Sequence, residues 1–91
     1  MLVTLRQLQY VIAVAESGSF SKAAEMVHAE QSTVSQQVRS LEEKLGVVLI
    51  NRDNLPVRLT PEGEEVVKQA KDIIEKVEEL IKPFKNPKHK G

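Results

Sequence analysis

The chain has no cysteine and no tryptophan among its 91 residues, and its aromatic residues are Tyr10, Phe20 and Phe84. The absence of cysteine excludes disulfides and thiolate metal sites. No apolar run approaches the roughly 18 residues that a membrane-spanning helix needs, and the N-terminus lacks a signal-peptide pattern. We therefore expect one small, soluble, cytoplasmic domain with a mainly aliphatic core.

An excess of positive charge is also missing. Thirteen Lys and Arg residues balance thirteen Asp and Glu residues, so the formal net charge is zero, whereas DNA-binding domains usually have a basic excess. Only the last stretch, with Lys85, Lys88 and Lys90, is clearly basic. Composition alone does not indicate nucleic acid, and any such function must depend on where the polar side chains are placed.

The polar residues around Gly18 do not form a catalytic set. Ser17, Ser19, Ser21 and His28 lie close in sequence, but no acidic orienting residue or oxyanion-hole motif accompanies them. His28 also has no other histidine or cysteine at the spacing of metal ligands. The sequence therefore predicts no enzyme, no metal site and no cofactor.

Two short helical patterns open the chain. Thr4 and Gln7 form a capping-box signature, and Gly18 followed by Ser19 ends the first helix and caps a second one over 20–28. Within the first helix, apolar residues recur at helical spacing at Leu5, Leu8, Ile12 and Ala15, with Val11 and Val14 beside them.

The third helix, predicted over about 31–45, carries the strongest signal. One apolar face is expected to anchor it to the core through Val34, Val38, Leu41 and Leu45, with Gly46 as its left-handed end. Polar side chains, mostly small hydroxyls and amides, fall on or near the opposite face, namely Ser32, Ser35, Gln36 and Arg39, with Thr33 and Ser40 on its flank. A helix with such a face is suited to the major groove of DNA.

Two β-leaning segments, 47–50 and 57–60, flank a turn-rich stretch that contains Asn51, Asn54 and Pro56. They predict a hairpin that would form a wing, 48–60, beside the third helix. Residues 60 and 61 then provide an N-cap and a first-turn proline for a long helix over 61–82, which Pro83 would end. Residues 83–91 are expected to be a flexible basic tail or the start of a linker.

Apolar residues along this last helix form a coiled-coil type seam. We predict that the seam pairs with a second copy of the chain, and its members are Val66, Ala70, Ile73, Ile74, Val77, Leu80 and Ile81. The alternative is that the stripe packs on the protein's own core.

Taken together, these residues resemble the DNA-binding half of LysR-type transcriptional regulators. The matching positions are Leu5 to Leu8, Gly18 to Phe20, Ala23, Ala24, Gln31, Val34 to Val38, Leu41, Glu42, Leu45, Gly46, Leu49, Arg52, Val57 to Pro61 and Gly63. The resemblance implies a mainly α fold, with a winged helix-turn-helix in 1–60 followed by a dimerising linker helix. It also implies a homodimer that binds an interrupted palindrome in double-stranded DNA.

The resemblance also assigns roles to individual residues. The implied DNA-binding set is Gln31, Ser32, Thr33, Ser35 and Gln36 near base edges or phosphates, Arg39 on phosphate, and Arg52 and Arg58 holding the wing on the backbone. In the family a C-terminal domain, absent from these 91 residues, binds the small-molecule effector. No residue here is therefore assigned to an effector.

Three positions depart from the family pattern. Glu30 stands where serine is common, Gln36 replaces a commoner arginine, and Leu55 occupies the wing tip, where many members have arginine. Each departure reduces positive charge, so we expect weak DNA binding that depends on dimerisation. Together with the neutral net charge, they leave open an alternative function, a winged-helix module that binds another protein.

Overall fold

The computed structural model describes residues 2–85, which form four helices and one two-stranded antiparallel sheet. In chain order these are α1 (Leu5–Ser17), α2 (Phe20–Val27), α3 (Gln31–Leu45), β1 (Ile50–Asn51), β2 (Arg58–Leu59) and α4 (Pro61–Lys85). Ile50 pairs with Leu59, and Asn51 pairs with Arg58. The predicted mainly α architecture, three helices followed by a hairpin and a long helix, is confirmed.

The predicted capping box begins α1. The Gln7 backbone N–H donates to the Thr4 hydroxyl at 3.1 Å, and the Thr4 N–H donates to the Gln7 side-chain oxygen at 3.2 Å. Val11 and Val14 are fully buried, whereas Leu5 in the first turn is exposed. Because α1 packs against all three other helices, its buried surface is wider than the single stripe that its apolar spacing predicts.

A left-handed residue ends each of the next two helices. His28, with φ of 57°, is the left-handed C-cap residue of α2. Gly46, with φ of 75°, ends α3 as predicted. The prediction that Leu45 anchors α3 to the core is wrong, because Leu45 lies in the last turn and is 38% exposed. Leu49, just beyond the turn, is fully buried and continues the core.

The wing is shorter than the sequence predicts, since each strand contributes two paired residues. Backbone contacts outside the ladder hold it in place: the Val57 N–H donates to the Gly18 carbonyl, and the Thr60 N–H donates to the Leu49 carbonyl, both at 2.9 Å. A Cβ atom at Gly63 would lie 2.1 Å from the Leu49 carbonyl oxygen. The start of α4 therefore packs directly on the backbone that leads into the wing.

Helix α4 continues past Pro83 to Lys85, so the prediction that Pro83 ends it is wrong. Proline removes the N–H that would donate to the Glu79 carbonyl, and water can serve that carbonyl on an exposed last turn. Residues 83–85 of the predicted flexible tail are thus helical, and residues 86–91 lie outside the described residues.

The predicted seam of α4 divides between two surfaces. Val67 and Ala70 are buried in the chain's own core, so Ala70 does not lie on the outer seam where it was predicted. Val66 and Ile74 pack partly against that core. Further along the helix, the core no longer reaches α4 and apolar side chains are exposed, namely Ile73, Leu80, Ile81 and Phe84, with Val77 partly exposed.

Candidate nucleic-acid interface

The outer face of α3 collects the hydroxyl and amide groups that the sequence singled out. Gln31, Ser32, Gln36 and Arg39 are exposed, and Thr33 and Ser35 are half-buried. The opposite face of the same helix is fully buried through Val34, Val38 and Leu41. The packing of α3 therefore presents these six polar side chains together on one accessible helix surface.

Glu30 is the N-cap residue of α3, with an extended backbone, but its side chain accepts no capping hydrogen bond within the described residues. The first N–H groups of the helix consequently lack a side-chain partner from that residue. Such N–H groups favour anions, including phosphate. The exposed Glu30 carboxylate, in contrast, would repel a phosphate at the same position.

Gln7 braces α3 from behind. Its side chain is 3% exposed, and its Nε2 donates to Gln37 Oε1 at 3.2 Å and to Ser40 Oγ at 3.3 Å. The same residue belongs to the capping box of α1, so one amide joins the start of α1 to the middle of α3. Sequence reasoning missed this link. A usable signal was that Gln7 lies four residues before the apolar Val11 and therefore on the same face of α1.

Arg52, predicted to contact the DNA backbone, is placed in an internal network. Its Nη1 donates to Ser35 Oγ at 2.9 Å, and its Nη2 lies 3.6 Å from Glu42 Oε1. The guanidinium carbon also lies 4.5 Å from the centre of the Phe20 ring, within the range of cation–π attraction. The side chain is 23% exposed, so most of the guanidinium faces protein.

Glu42 connects this network to the wing. Its Oε2 accepts hydrogen bonds from the backbone N–H groups of Leu49 and Ile50, at 2.8 and 3.2 Å. Burial and the nearby positive charge of Arg39 lower the pKa of Arg52, and the Glu42 carboxylate opposes them. Sequence reasoning gave Glu42 no role. In the structure, its contacts connect α3 to the start of the wing.

The rest of the wing is open to solvent. Arg58 is exposed on β2, opposite Asn51, and Leu55 at the tip is 82% exposed. Of the two arginines predicted to hold the wing on DNA, Arg58 is thus the one with an exposed side chain.

The described part of the chain, 2–85, contains no cluster of three or more His, Asp or Glu residues able to hold a metal ion. Across that same range, no helix combines the length and apolar character needed to cross a membrane.

Residues 5–64 match the model of the bacterial regulatory helix-turn-helix proteins of the lysR family. The chain belongs to the LysR family. Its relatives in this family include the regulator BenM of Acinetobacter baylyi, 39% identical over 77 residues that make up 85% of this chain and 25% of BenM. EstR of the same organism is 41% identical over 81 residues, 89% of this chain and 27% of EstR. The chain spans about a quarter of the length of these relatives.

Solved LysR-family structures agree with this membership. The crystal structure of the BenM DNA-binding domain with benA site 1 DNA superposes with a TM-score of 0.85 at 38% identity, covering 90% of this chain and 92% of that one. The winged helix-turn-helix fold is confirmed by this likeness. The predicted family resemblance is confirmed.

Proposed function

We propose that this chain is the sequence-specific DNA-binding domain of a dimeric prokaryotic transcription regulator that acts in the cytoplasm. The observation that carries the proposal is the outer face of α3, where hydroxyls, amides and Arg39 are accessible together while the apolar side chains of the same helix are buried. The DNA complex of the similar BenM domain supports it. Each copy would place α3 in a major groove.

Residue roles follow from exposure and chemistry. The side chains proposed to meet base edges or adjacent phosphates are Gln31, Ser32, Thr33, Ser35 and Gln36. The Gln36 amide can both donate and accept, which suits the N6 and N7 atoms of adenine. Arg39 on α3 and Arg58 on the wing are exposed cations and are proposed to contact phosphate.

The partner for dimerisation is proposed to be a second copy bound along the outer stripe of α4. Ile73 is 45% exposed and Leu80 is 67% exposed, and both lie at coiled-coil spacing with Val77. Covering such a stripe removes apolar surface from water, worth roughly 25 cal/mol per Å². A two-fold dimer built in this way would read an interrupted palindrome, because each copy presents the same α3.

A second candidate is a winged-helix module that binds protein. The neutral net charge favours it, as does Leu55, an apolar side chain that is 82% exposed at the wing tip. We rank it below DNA binding because the outer face of α3 is rich in hydrogen-bonding groups and has no large apolar residue.

The decisive experiment is selection from a randomised double-stranded DNA pool by the 91-residue chain at low salt, followed by sequencing. We expect enrichment of an inverted repeat whose half-sites are separated by about one helical turn, ~34 Å, or a multiple of it. Retention of DNA without a shared motif would indicate that the chain binds only the DNA backbone, and it would contradict sequence-specific recognition. If no DNA were retained, the protein-binding function would replace the proposal.

A further inference from the structure

Ser35 differs from the other α3 residues proposed to face DNA because a side chain of the wing donates a hydrogen bond to it. Arg52 donates to its hydroxyl at 2.9 Å, while Glu42 and the Phe20 ring hold the same guanidinium from two other directions. Contacts from α2 and α3 thus fix this wing arginine in one orientation. The arrangement joins the wing to the middle of the proposed DNA-facing surface.

The chemistry of this contact restricts what the Ser35 hydroxyl can do. A guanidinium has donors and no acceptor, so the Ser35 oxygen must accept from Arg52. Within residues 2–85 the Ser35 hydroxyl donates no side-chain hydrogen bond of its own, and the residue is half-buried and therefore reachable. A neighbouring positive charge also makes a hydroxyl a better donor and a poorer acceptor.

We propose that Arg52 is a positioning residue that turns the Ser35 hydroxyl into a hydrogen-bond donor toward DNA. This inference rests on the proposed function. The partner of Ser35 would be an acceptor: a phosphate oxygen, or a base atom such as guanine O6 or N7, adenine N7 or thymine O4. Arg52 would then act on affinity through Ser35, without a phosphate contact of its own.

Glu42 supplies the negative charge next to Arg52 in this partly buried setting. Its carboxylate is 13% exposed and is shared between the Arg52 guanidinium and two backbone N–H groups at the start of the wing. The nearby charge of Arg39 disfavours the charged form of Arg52, and the Glu42 carboxylate opposes that effect on the Arg52 pKa. The same contacts could serve as a structural brace alone, and the test must separate the two roles.

A double-mutant cycle on DNA affinity separates them. The probe is the preferred inverted-repeat DNA recovered from the randomised pool, and the variants are Ser35→Ala, Arg52→Gln and the pair. We expect each single change to weaken binding by about tenfold and the pair to be no weaker than the poorer single variant. The dependence of affinity on salt should be the same for Arg52→Gln as for the unaltered chain, because the change removes no phosphate contact.

Arg58→Gln is the matched control, since Arg58 is an exposed wing arginine. Its effect should add to that of Ser35→Ala, and the slope of log affinity against log salt should fall by about 0.9 for each phosphate contact that the substitution removes. Arg52→Lys gives a second route to the cycle if Arg52→Gln does not fold, because lysine keeps the charge beside Glu42. Because an ammonium can also donate to the Ser35 hydroxyl, the lysine variant should bind DNA more tightly than Arg52→Gln, and Ser35→Ala should abolish that difference.

Additive effects of the Arg52 and Ser35 substitutions would overturn the inference. If the salt slope also fell, Arg52 would be a direct phosphate contact; if it did not, Arg52 would be a brace that acts independently of the hydroxyl. An unaltered chain that selects no motif would overturn the proposed function together with this inference. A chain that selects a motif while the two effects add would overturn this inference alone.

Discussion

Gln36 is the residue on which base reading depends most, because it is an exposed amide in the second turn of α3. We expect Gln36→Ala to weaken binding to the preferred site by about 1–3 kcal/mol and to relax specificity at one base pair. Affinities for the preferred site and for every single-base variant of it would show this. Gln9→Ala is the control, since Gln9 is an exposed glutamine on α1. Equal weakening on all sequences would exclude a base-reading role for Gln36.

For individual residues, the sequence predicts which side chains are exposed better than it predicts which side chains form hydrogen bonds with each other. The 3.6-residue period of a helix is enough to place Ser32 and Gln36 on the outer face of α3. It cannot show that Arg52 bonds Ser35, or that Gln7 bonds Ser40, because those pairs are separated by 17 and 33 residues. Such contacts arise only when the helices and the wing have packed, so the role of a polar side chain depends on tertiary structure.

The N-terminus of α3 is the element whose local chemistry is least favourable. Glu30 supplies no cap and places a carboxylate beside N–H groups that suit phosphate. We expect both Glu30→Ser and Glu30→Gln to raise DNA affinity at low salt, because each removes that carboxylate. Serine can also accept the N-cap hydrogen bond, so the serine variant should exceed the glutamine variant by about 1 kcal/mol in the free energy of unfolding.

DNA titrations and chemical denaturation of the two Glu30 variants separate these effects. The glutamine variant controls for the charge, and the serine variant adds the cap. Unchanged affinity in both would mean that Glu30 lies away from the DNA backbone. Equal stability in both would mean that the serine hydroxyl does not cap α3.

Helix existence and capping are well predicted from the sequence because their causes are local. The capping box at Thr4 and the left-handed Gly46 both lie where the sequence predicts them. The errors have longer-range causes. Leu45 has the spacing of a core residue but lies in the last turn of α3 and is 38% exposed. Pro83 has the chemistry of a helix breaker but lies on an exposed last turn.

At the scale of the whole molecule, α4 carries two apolar surfaces that serve different purposes. Val67 and Ala70 hold the helix to its own domain, whereas Ile73 and Leu80 remain exposed. Periodicity alone cannot divide one broad stripe between a core and a partner, because both demand the same residue types at the same spacing. The division appears only when the small core ends and the helix, about 37 Å long at 1.5 Å per residue, continues beyond it.

This division makes dimerisation testable without disruption of the fold. Because Leu80 is 67% exposed in the single chain, Leu80→Asp should leave the fold and the helix content of the domain nearly unchanged. It should shift the dimer to monomer in sedimentation experiments over a range of concentrations, since a buried, unpaired carboxylate is costly. Affinity for an inverted repeat should fall with the dimer, while affinity for a single half-site stays the same.

Lys82→Asp, on the opposite face of α4, should keep the dimer although it adds more negative charge. A dimer that survives Leu80→Asp would place the contact between copies elsewhere, and the spacing of the DNA half-sites would then no longer be set by α4.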